Sequence, residues 1–312
     1  MSKSIVIGVD VGGTFTDTLA LDEATGAVRV EKVPSTKGDQ SNGFLSGILA
    51  ATDHDLSSVS TIIHGTTVAT NALLERKGAK AGIITTEGFR DVLEMRRRDR
   101  PSTWGLWGQF TPVIERKCRL EVPERTLANG TVVKDVDEAS IKAAAQDLIA
   151  QGCDSVCLFF INGYANTDNE IKAARILRQV WPNDYVSVAT EILPEIREFE
   201  RCSTASLNAY LQPVVANYLA RLETRIAEDE AGSEILIVQS NGGIMSVDTA
   251  KALPVRTALS GPAAGVVAAR QIAKAAGFEN VITCDMGGTS FDVSLVADGQ
   301  NMLTSQASID FG

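Results

Sequence analysis

The feature that most constrains the fold is an eight-residue motif that occurs twice. DVGGTFTD at Asp10–Asp17 recurs as DMGGTSFD at Asp285–Asp292. An apolar run precedes each copy (IVIGV and VITC), and a second apolar run follows it (TLALD and VSLVA). Each glycine pair is therefore predicted to form a tight turn between two strands, so that the chain carries two copies of one hairpin.

The residues of the repeated turn favour a phosphate site beside a metal ion. Adjacent glycines let backbone amides approach a phosphate and can adopt the positive φ that an anion-binding nest requires. A carboxylate directly before the turn repels phosphate, so Asp10 and Asp285 are expected to hold Mg²⁺ or its waters, or to orient a nucleophile.

A purely structural interpretation of the motif is weaker but has to be weighed. One DxGGT segment can be no more than a hairpin turn, because Gly beside Asp and Thr is common in turns. Two matches in the same strand, turn and strand context make coincidence a poor explanation. For Asp17 and Asp292 we favour a structural role, in which they accept hydrogen bonds from backbone amides at the start of the next strand.

Composition and charge limit the class of protein. The 312 residues are 44% hydrophobic and 22% charged, which is typical of a globular chain large enough for two cores. No apolar run approaches the roughly 20 residues of a membrane span, and the start lacks the regions of a secretory signal, so a cytoplasmic location is expected. The formal charge of −10 argues against nucleic-acid or membrane binding.

The candidate metal ligands point to a hard cation. The five cysteines show no paired spacing of a zinc or redox motif, and only His54 and His64 are present. Any divalent ion is then held by oxygen, which favours Mg²⁺ bound together with a phosphate compound.

The order of strand and helix signals predicts an α/β layer fold. Residues 1–190 are expected to form a first lobe with an insertion at about 95–136, where Arg, Pro, Gly and Trp break the pattern. A long helix from about 197 to 231 is expected to connect this lobe to a second one, so that 191–312 comprise the connector and the second hairpin.

At this point the sequence resembles a known family. The segments IGVDVGGTFTD, HGTTVATNALLERKG, ERCSTASLNAYL, SNGGIMS, SGPAAG and DMGGTSFDVSL are similar to those of the A subunit of the hydantoinase and 5-oxoprolinase family, which includes ATP-dependent ketone carboxylases. This family resembles the actin, hexokinase and Hsp70 superfamily of ATPases. The resemblance implies two RNase H-like lobes of the actin-like ATPase fold, with the second lobe incomplete.

The resemblance also implies cofactors and site residues. ATP and Mg²⁺ are the implied cofactors. Asp10 and Asp285 would be the catalytic and metal-linked carboxylates, with Asp285 nearest the γ-phosphate. The first phosphate loop would be formed by Gly12, Gly13, Thr14 and Thr16, and the second by Gly287, Gly288, Thr289 and Ser290. The lining of the cleft would include Asn241, Gly242 and Gly243.

Three functions remain open from the sequence. The leading hypothesis is phosphorylation of a carbonyl or enol oxygen in a small molecule, coupled to hydrolysis of a cyclic amide of the hydantoin or 5-oxoproline type. The first alternative is a subunit of an ATP-dependent ketone carboxylase, and the second is a non-catalytic ATP-sensing module. The resemblance also implies a B-type partner subunit or a hetero-oligomer, and neither a nucleic acid nor a membrane is expected as a partner.

Two further features invite competing interpretations. His64 precedes GTT at a strand end, where a structural hydrogen bond to backbone is the favoured role over contact with substrate. The segment RRRDRPSTWGLWG, from Arg96 to Gly108, combines basic and aromatic residues. We favour a subunit interface for it over a pocket for a substrate carboxylate.

Overall fold

The computed structural model describes residues 3–36, 40–97, 110–228, 232–286 and 291–302. They form an α/β protein with parallel sheets, as the sequence predicted. Two compact units are present: the described parts of Met1–Leu74 with Val215–Phe311, and Glu75–Val214. Some residues singled out in the sequence lie outside the described ranges, namely Arg98, Arg100, Trp104, Trp107, Gly287, Gly288, Thr289 and Ser290.

The elements follow one another in close to the predicted order. The strands are β1 (Ile5–Val11), β2 (Phe15–Asp22), β3 (Val28–Pro34), β4 (Val59–Thr66), β5 (Ala81–Thr86), β6 (Arg119–Val122), β7 (Arg125–Thr126), β8 (Val132–Lys134), β9 (Ser155–Phe159), β10 (Val186–Val188), β11 (Glu234–Val238), β12 (Ile244–Ser246), β13 (Val281–Met286), β14 (Phe291–Ala297) and β15 (Gln300–Asn301). The helices are α1 (Gln40–Ala51), α2 (Val68–Leu74), α3 (Val92–Met95), α4 (Glu138–Ala150), α5 (Asp168–Val180), α6 (Ala189–Ile192), α7 (Glu198–Glu228), α8 (Val247–Ala252) and α9 (Ser260–Ala275).

The first unit is built on a six-stranded sheet of order β12-β11-β4-β1-β2-β3. The meander β1-β2-β3 is antiparallel, whereas β4 and β11 add to it in parallel. The carboxyl ends of β1, β4 and β11 therefore meet at one edge of the sheet. In α/β sheets this edge is where ligands bind.

Alternation along β1 fixes which face of this sheet is buried. Ile7, Val9 and Val11 point to one side and are almost fully buried. Helix α1 covers that side with Phe44 and Ile48, which are also buried. Helix α1 therefore packs on one face of the meander, whereas Phe15 and Leu19, which point to the other face, are exposed.

The repeated motif forms two hairpins of the same register, as predicted. Asp10 lies opposite Asp17 in the β1-β2 pair, and Asp285 lies opposite Asp292 in the β13-β14 pair. Strand β15 adds to β14 and completes a separate three-stranded antiparallel sheet.

The second unit contains a four-stranded parallel sheet of order β10-β9-β5-β6. Strand β9 is buried along its whole length, as is usual in a parallel sheet covered on both faces. Strand β6 lies within the stretch that the sequence marked as an insertion, yet it pairs in parallel with β5. The stretch 95–136 therefore supplies part of a sheet as well as irregular chain.

The units do not divide at residue 190, where the sequence suggested a boundary. Strand β11 follows that point by more than forty residues but pairs with β4 of the first sheet. Helix α7 contains Pro213 and begins in the second unit and ends in the first. Among the described helices, none has the length and apolar character needed to cross a bilayer.

Gly78 has a role other than the predicted one. The sequence pattern predicts a helix over Val68–Lys77 that Gly78 ends, but α2 ends at Leu74. A Cβ at Gly78 would clash with the ring of Tyr210, whose carbonyl accepts a hydrogen bond from the amide of Ala79. Gly78 is therefore required by close packing against α7.

Candidate functional site

Polar residues of the repeat lie at the edge where the parallel strands of the first unit end. Asp10 is the last but one residue of β1, opposite Gly65 of β4. Helix α9 begins at the same edge, because the Ser260 hydroxyl donates to the carbonyl oxygen of Thr66 at 3.1 Å. The amide of Leu259 donates to the hydroxyl of Thr70 at 2.9 Å. These bonds fix the amino end of α9 beside β1 and β4.

Asp10 lies at this edge in surroundings that disfavour its charged form. Its Oδ1 lies 3.3 Å from the position of a Cβ at Gly65 and 3.8 Å from that of a Cβ at Gly261. The side chain remains accessible to solvent, but the surrounding protein desolvates it and raises its pKa, and the charges of Asp17 and Asp285 raise it further. Negative charge is thus concentrated at one point, which a cation would stabilise.

Asp17 is held by an ion pair rather than by backbone amides. The ammonium of Lys32 lies 2.8 and 3.0 Å from its two carboxylate oxygens. Lys32 also lies over the ring of Phe15, 5.1 Å from the centroid. The structural role expected for Asp17 is thus retained, but its predicted partner was wrong. Sequence could not reveal this contact, because it depends on the register between β2 and β3.

The first glycine turn is open at its tip. The amide of Gly12 donates to the carbonyl of Phe15 at 3.0 Å and closes the turn. A Cβ at Gly12 would lie 3.0 Å from that carbonyl oxygen, whereas a Cβ at Gly13 would meet nothing within 4 Å. Gly13 and Thr14 are exposed, so a ligand can approach their backbone.

Neither glycine adopts the positive φ anticipated from the sequence. The turn closes through the Gly12 hydrogen bond without a left-handed residue. Gly12 is required by its close approach to Phe15, and Gly13 leaves its side of the turn unobstructed. The conformational reason given for this glycine pair was therefore wrong.

Thr16 is separated from the exposed turn. It lies on β2 with its side chain fully buried, and its hydroxyl is 3.0 Å from that of Ser35. Gly43 of α1 packs against the Thr16 hydroxyl. Thr16 thus supports the hairpin from the α1 side, whereas Thr14 is the threonine at the accessible tip.

The SNGG turn follows β11 at the same edge. The amide of Gly243 donates to Oδ1 of Asn241 at 2.9 Å. Gly242 has φ of 81°, and a Cβ there would lie 2.7 Å from a methyl group of Val267, so both conformation and space require glycine. Asn241, Gly242 and Gly243 line an open cavity of about 600 Å³ together with Arg270 on α9.

His64 has the structural role favoured by the sequence. Its ring is fully buried, with Nδ1 3.3 Å from the carbonyl oxygen of Val9 and Nε2 2.8 Å from the hydroxyl of Tyr218. A carbonyl only accepts, so Nδ1 carries the proton and the Tyr218 hydroxyl donates to Nε2. Burial lowers the pKa of His64 to about 4. The neutral ring thus holds the backbone of β1 at Val9, one residue before Asp10.

Two arginines of the basic cluster pack within the second unit. The guanidinium of Arg96 lies 3.6 Å from the ring centroid of Phe110 and 5.6 Å from that of Phe199. Arg97 forms an ion pair with Glu200. These contacts hold the chain after α3 to the start of α7. The role of the segment from Arg96 to Gly108 as a subunit interface stays a prediction.

The residues at the β1 edge fit a metal ion that arrives with phosphate. The described residues contain no group of three His, Cys, Asp or Glu side chains placed to hold a metal ion. Mg²⁺ commonly keeps several waters and takes only one or two protein carboxylates besides phosphate oxygens. Asp10 and Asp285 match this donor set, because the charge of Asp285 lies close enough to raise the pKa of Asp10.

Comparison with known proteins gives the family. The hydantoinase/oxoprolinase N-terminal region model matches residues 6–181, and the hydantoinase/oxoprolinase model matches residues 201–311. Caprolactamase subunit alpha of Pseudomonas jessenii is 34% identical over 304 residues, which cover 94% of this chain and 44% of that protein. The chain spans less than half the length of the curated relatives it matches.

Two solved structures share the fold over almost the whole chain. The nucleotide-free structure of acetone carboxylase, from work on ATP-dependent acetone carboxylation, has a TM-score of 0.83 and 27% identity, covering 95% of this chain and 44% of that one. ATP-dependent caprolactamase from Pseudomonas jessenii has a TM-score of 0.80 and 34% identity, covering 93% and 43%. Because the two family models match residues 6–181 and 201–311, the chain belongs to the hydantoinase/oxoprolinase family.

Proposed function

We propose that the chain is part of an ATP- and Mg²⁺-dependent enzyme that phosphorylates the carbonyl or enol oxygen of a small molecule, so that a cyclic amide can be hydrolysed. The observation that carries the proposal is the position of Asp10. It lies beside the open Gly12–Thr14 turn and the start of α9, within the electrostatic reach of Asp285 from the second copy of the motif.

The proposed fold is a pair of RNase H-like lobes of the actin-like ATPase type, with the second lobe incomplete. The shared register of the two hairpins supports this arrangement. The six-stranded sheet would be the first lobe, and the β13-β14-β15 sheet would begin the second.

Each site residue has a proposed task. The amides of Gly13 and Thr14 bind phosphate oxygens, aided by the amino end of α9 at Gly261. Asp10 holds Mg²⁺ through water, and Asp285 orients or deprotonates the attacking oxygen. Gly287, Gly288, Thr289 and Ser290 are proposed as the second phosphate loop from their position in the repeat, and Asn241–Gly243 as part of the lining. ATP, when bound, supplies the phosphoryl group that turns the carbonyl oxygen into a leaving group.

Amide hydrolysis is favoured because caprolactamase, a cyclic amide hydrolase by name, is 34% identical over most of this chain. The first alternative, a ketone carboxylase subunit, is supported by the acetone carboxylase structure. A partner subunit is proposed because caprolactamase has a named alpha subunit. Use of ATP and Mg²⁺ agrees with the cytoplasmic location expected from the sequence.

The test is substrate-stimulated release of phosphate from ATP. The chain is assayed with its co-purifying partner, with a panel of lactams, hydantoins and ketones, and with bicarbonate present or absent. Asp285→Asn should abolish the stimulated rate, and Asp292→Asn is the matched control on the neighbouring strand. Stimulation by a lactam without bicarbonate supports hydrolysis, whereas a requirement for bicarbonate supports carboxylation. Release that no substrate or partner accelerates would favour the ATP-sensing module.

A further inference from the structure

A short segment where β4 passes into α2 contacts both elements of the first unit that are proposed to bind phosphate. We call residues 66–71 the threonine segment, because three of the six are threonine. The segment includes the last residue of β4 and the first turn of α2. Parallel pairing places Thr66 beside Val11, so the segment lies at the edge of the sheet that carries the candidate site.

Thr67 holds the end of the strand from which the first glycine turn departs. Its hydroxyl donates to the carbonyl oxygen of Val11 at 3.2 Å. Val11 is the last residue of β1, and Gly12 follows it directly. The same hydroxyl accepts a hydrogen bond from the side-chain amide of Asn71 at 3.3 Å. The donor of the Thr67 hydroxyl is thereby directed at the backbone that leads into the turn.

The other end of the threonine segment holds the start of α9. The Thr70 hydroxyl accepts from the amide of Leu259 at 2.9 Å, and the carbonyl oxygen of Thr66 accepts from the Ser260 hydroxyl at 3.1 Å. Leu259 is the N-cap residue of α9, and its φ of 61° is unfavourable for leucine. Such a conformation persists only where the surroundings hold it. The two hydrogen bonds to the threonine segment provide that restraint.

The carboxylate proposed to hold Mg²⁺ adjoins the same segment. Gly65 directly precedes it, and a Cβ there would lie 3.3 Å from Oδ1 of Asp10. The glycine turn, the start of α9 and Asp10 are thus all placed against one short piece of backbone.

We propose that Thr67 and Thr70 are positioning residues, which set the spacing between the first glycine turn and the start of α9 so that both contact the phosphates of one nucleotide. The inference rests on the proposed function, which assigns these two elements to phosphate. The two hydroxyls act through Val11 and Leu259 and do not themselves touch the ligand. Spacing matters because a misplacement of about 1 Å can cost roughly 100-fold in rate.

The positioning is tested first without nucleotide, by hydrogen exchange of backbone amides. Thr70→Val nearly keeps the shape of the side chain but removes the acceptor of the Leu259 amide, so exchange of that amide should be roughly tenfold faster or more. Thr67→Val should speed exchange at Gly12, whose amide closes the turn on the carbonyl of Phe15. Unchanged exchange in both variants would overturn the proposal.

Thr52→Val is the matched control. Its hydroxyl donates to the carbonyl oxygen of Ile48 at 2.9 Å, and it is half-buried, as are both threonines under test. It lies directly after α1, away from the threonine segment. The control should leave exchange at Gly12 and Leu259 unchanged. An equal acceleration in this variant would show a general loss of stability and would overturn the proposal.

Calorimetric titration with Mg²⁺ and a non-hydrolysable ATP analogue tests the link to the ligand. Thr67→Val and Thr70→Val should each weaken binding about tenfold, whereas Thr52→Val should not. Because either change already disturbs the spacing, the double variant should lose less than the product of the two single losses. Thr67→Ser keeps the hydroxyl and should bind almost as the wild type does, which a packing role of the methyl group would not allow.

The outcomes separate this inference from the proposed function. A wild type that binds the analogue, with both valine variants binding equally well, would overturn the positioning role and leave the proposed function standing. A wild type that binds no analogue would contradict the proposed function, and the positioning role with it.

Discussion

The carboxylates of Asp10 and Asp285, one from each copy of the repeated motif, lie close enough for the charge of Asp285 to raise the pKa of Asp10. The two residues are far apart in the chain but occupy the same register position in their hairpins. Folding therefore brings together like charges that disfavour each other. Such an arrangement weakens stability and is expected where a cation is to be bound.

Asp10→Asn should separate stability from function. The neutral amide relieves desolvation and the repulsion by Asp17 and Asp285, so the free energy of unfolding should rise by ~0.5 kcal/mol after allowance for solvent screening. The pH dependence has the same sign. Because the pKa of Asp10 is raised in the folded protein, the free energy of unfolding falls as the pH rises above the unfolded pKa of 3.8. Phosphate release should fall by roughly 100-fold or more. A variant that is both less stable and fully active would contradict this assignment.

The two glycines of the first turn should respond differently to alanine. Gly12→Ala places a Cβ 3.0 Å from the Phe15 carbonyl oxygen and should lower stability by about 1 kcal/mol. Gly13→Ala meets no neighbouring atom and should leave the melting temperature unchanged, while its methyl group weakens nucleotide binding. Thermal unfolding and calorimetric titration with an ATP analogue measure the two effects. Nucleotide binding by Gly13→Ala as tight as that of the wild type would exclude phosphate contact at this tip.

The buried histidine predicts a pH dependence of stability. Folding lowers the pKa of His64 from 6.5 to about 4, so the unfolded state binds more protons between these values. Stability should therefore fall as the pH drops from 6.5 toward 4, with a loss approaching roughly 3 kcal/mol. Urea unfolding of the wild type and of His64→Gln over this range measures the contribution of His64 to the pH dependence. All other groups titrate in both proteins, so their effects cancel in the difference. Identical pH profiles would show that the ring is not held neutral by burial.

The second unit depends on a buried ion pair. Nη2 of Arg201 lies 3.0 Å from Oε1 of Glu170, and both side chains are inaccessible to solvent. Arg201→Leu leaves the carboxylate without its cation and should cost about 3 to 5 kcal/mol. The double variant Arg201→Leu with Glu170→Leu should recover part of this loss. Chemical unfolding measures both, and a single variant as stable as the wild type would contradict the assigned partnership.

Local features of the fold could be predicted from the sequence. Apolar periodicity and flanking turns predict strands at Ile5–Val11 and Arg119–Val122 and a helix at Asp168–Val180. The structure has β1, β6 and α5 at these bounds. The equivalence of the two hairpins follows from eight repeated residues and their apolar flanks.

Long-range contacts could not be predicted in this way. The pairing of β11 with β4 joins segments separated by the whole second unit, and no local pattern encodes it. The ion pair of Asp17 with Lys32 depends on strand register. The clash that requires Gly78 depends on the position of Tyr210 on a distant helix.

The positions of the candidate residues in the fold could be predicted in part, whereas their roles stay predictions. Asp10 lies on β1 and the Gly12–Thr14 turn lies between β1 and β2, as the motif predicted, and SNGG lies at the same edge of the sheet. The hydrogen bond of Ser260 to β4 was missed. A serine before Gly-Pro indicates a turn, but it does not indicate which strand the turn contacts. The burial of Thr16 was missed as well. Its side chain points toward α1 because side chains alternate along β2, which begins at Phe15.

The most direct test of the central claim is the Mg²⁺ dependence of nucleotide binding. Calorimetric titration with a non-hydrolysable ATP analogue, with and without Mg²⁺, compares the wild type with Asp10→Asn and Asp285→Asn. The account predicts that Mg²⁺ tightens binding by the wild type at least tenfold and that both substitutions remove most of this gain. Tightening by Mg²⁺ that is unchanged in both variants, or a wild type that binds no nucleotide, would contradict it.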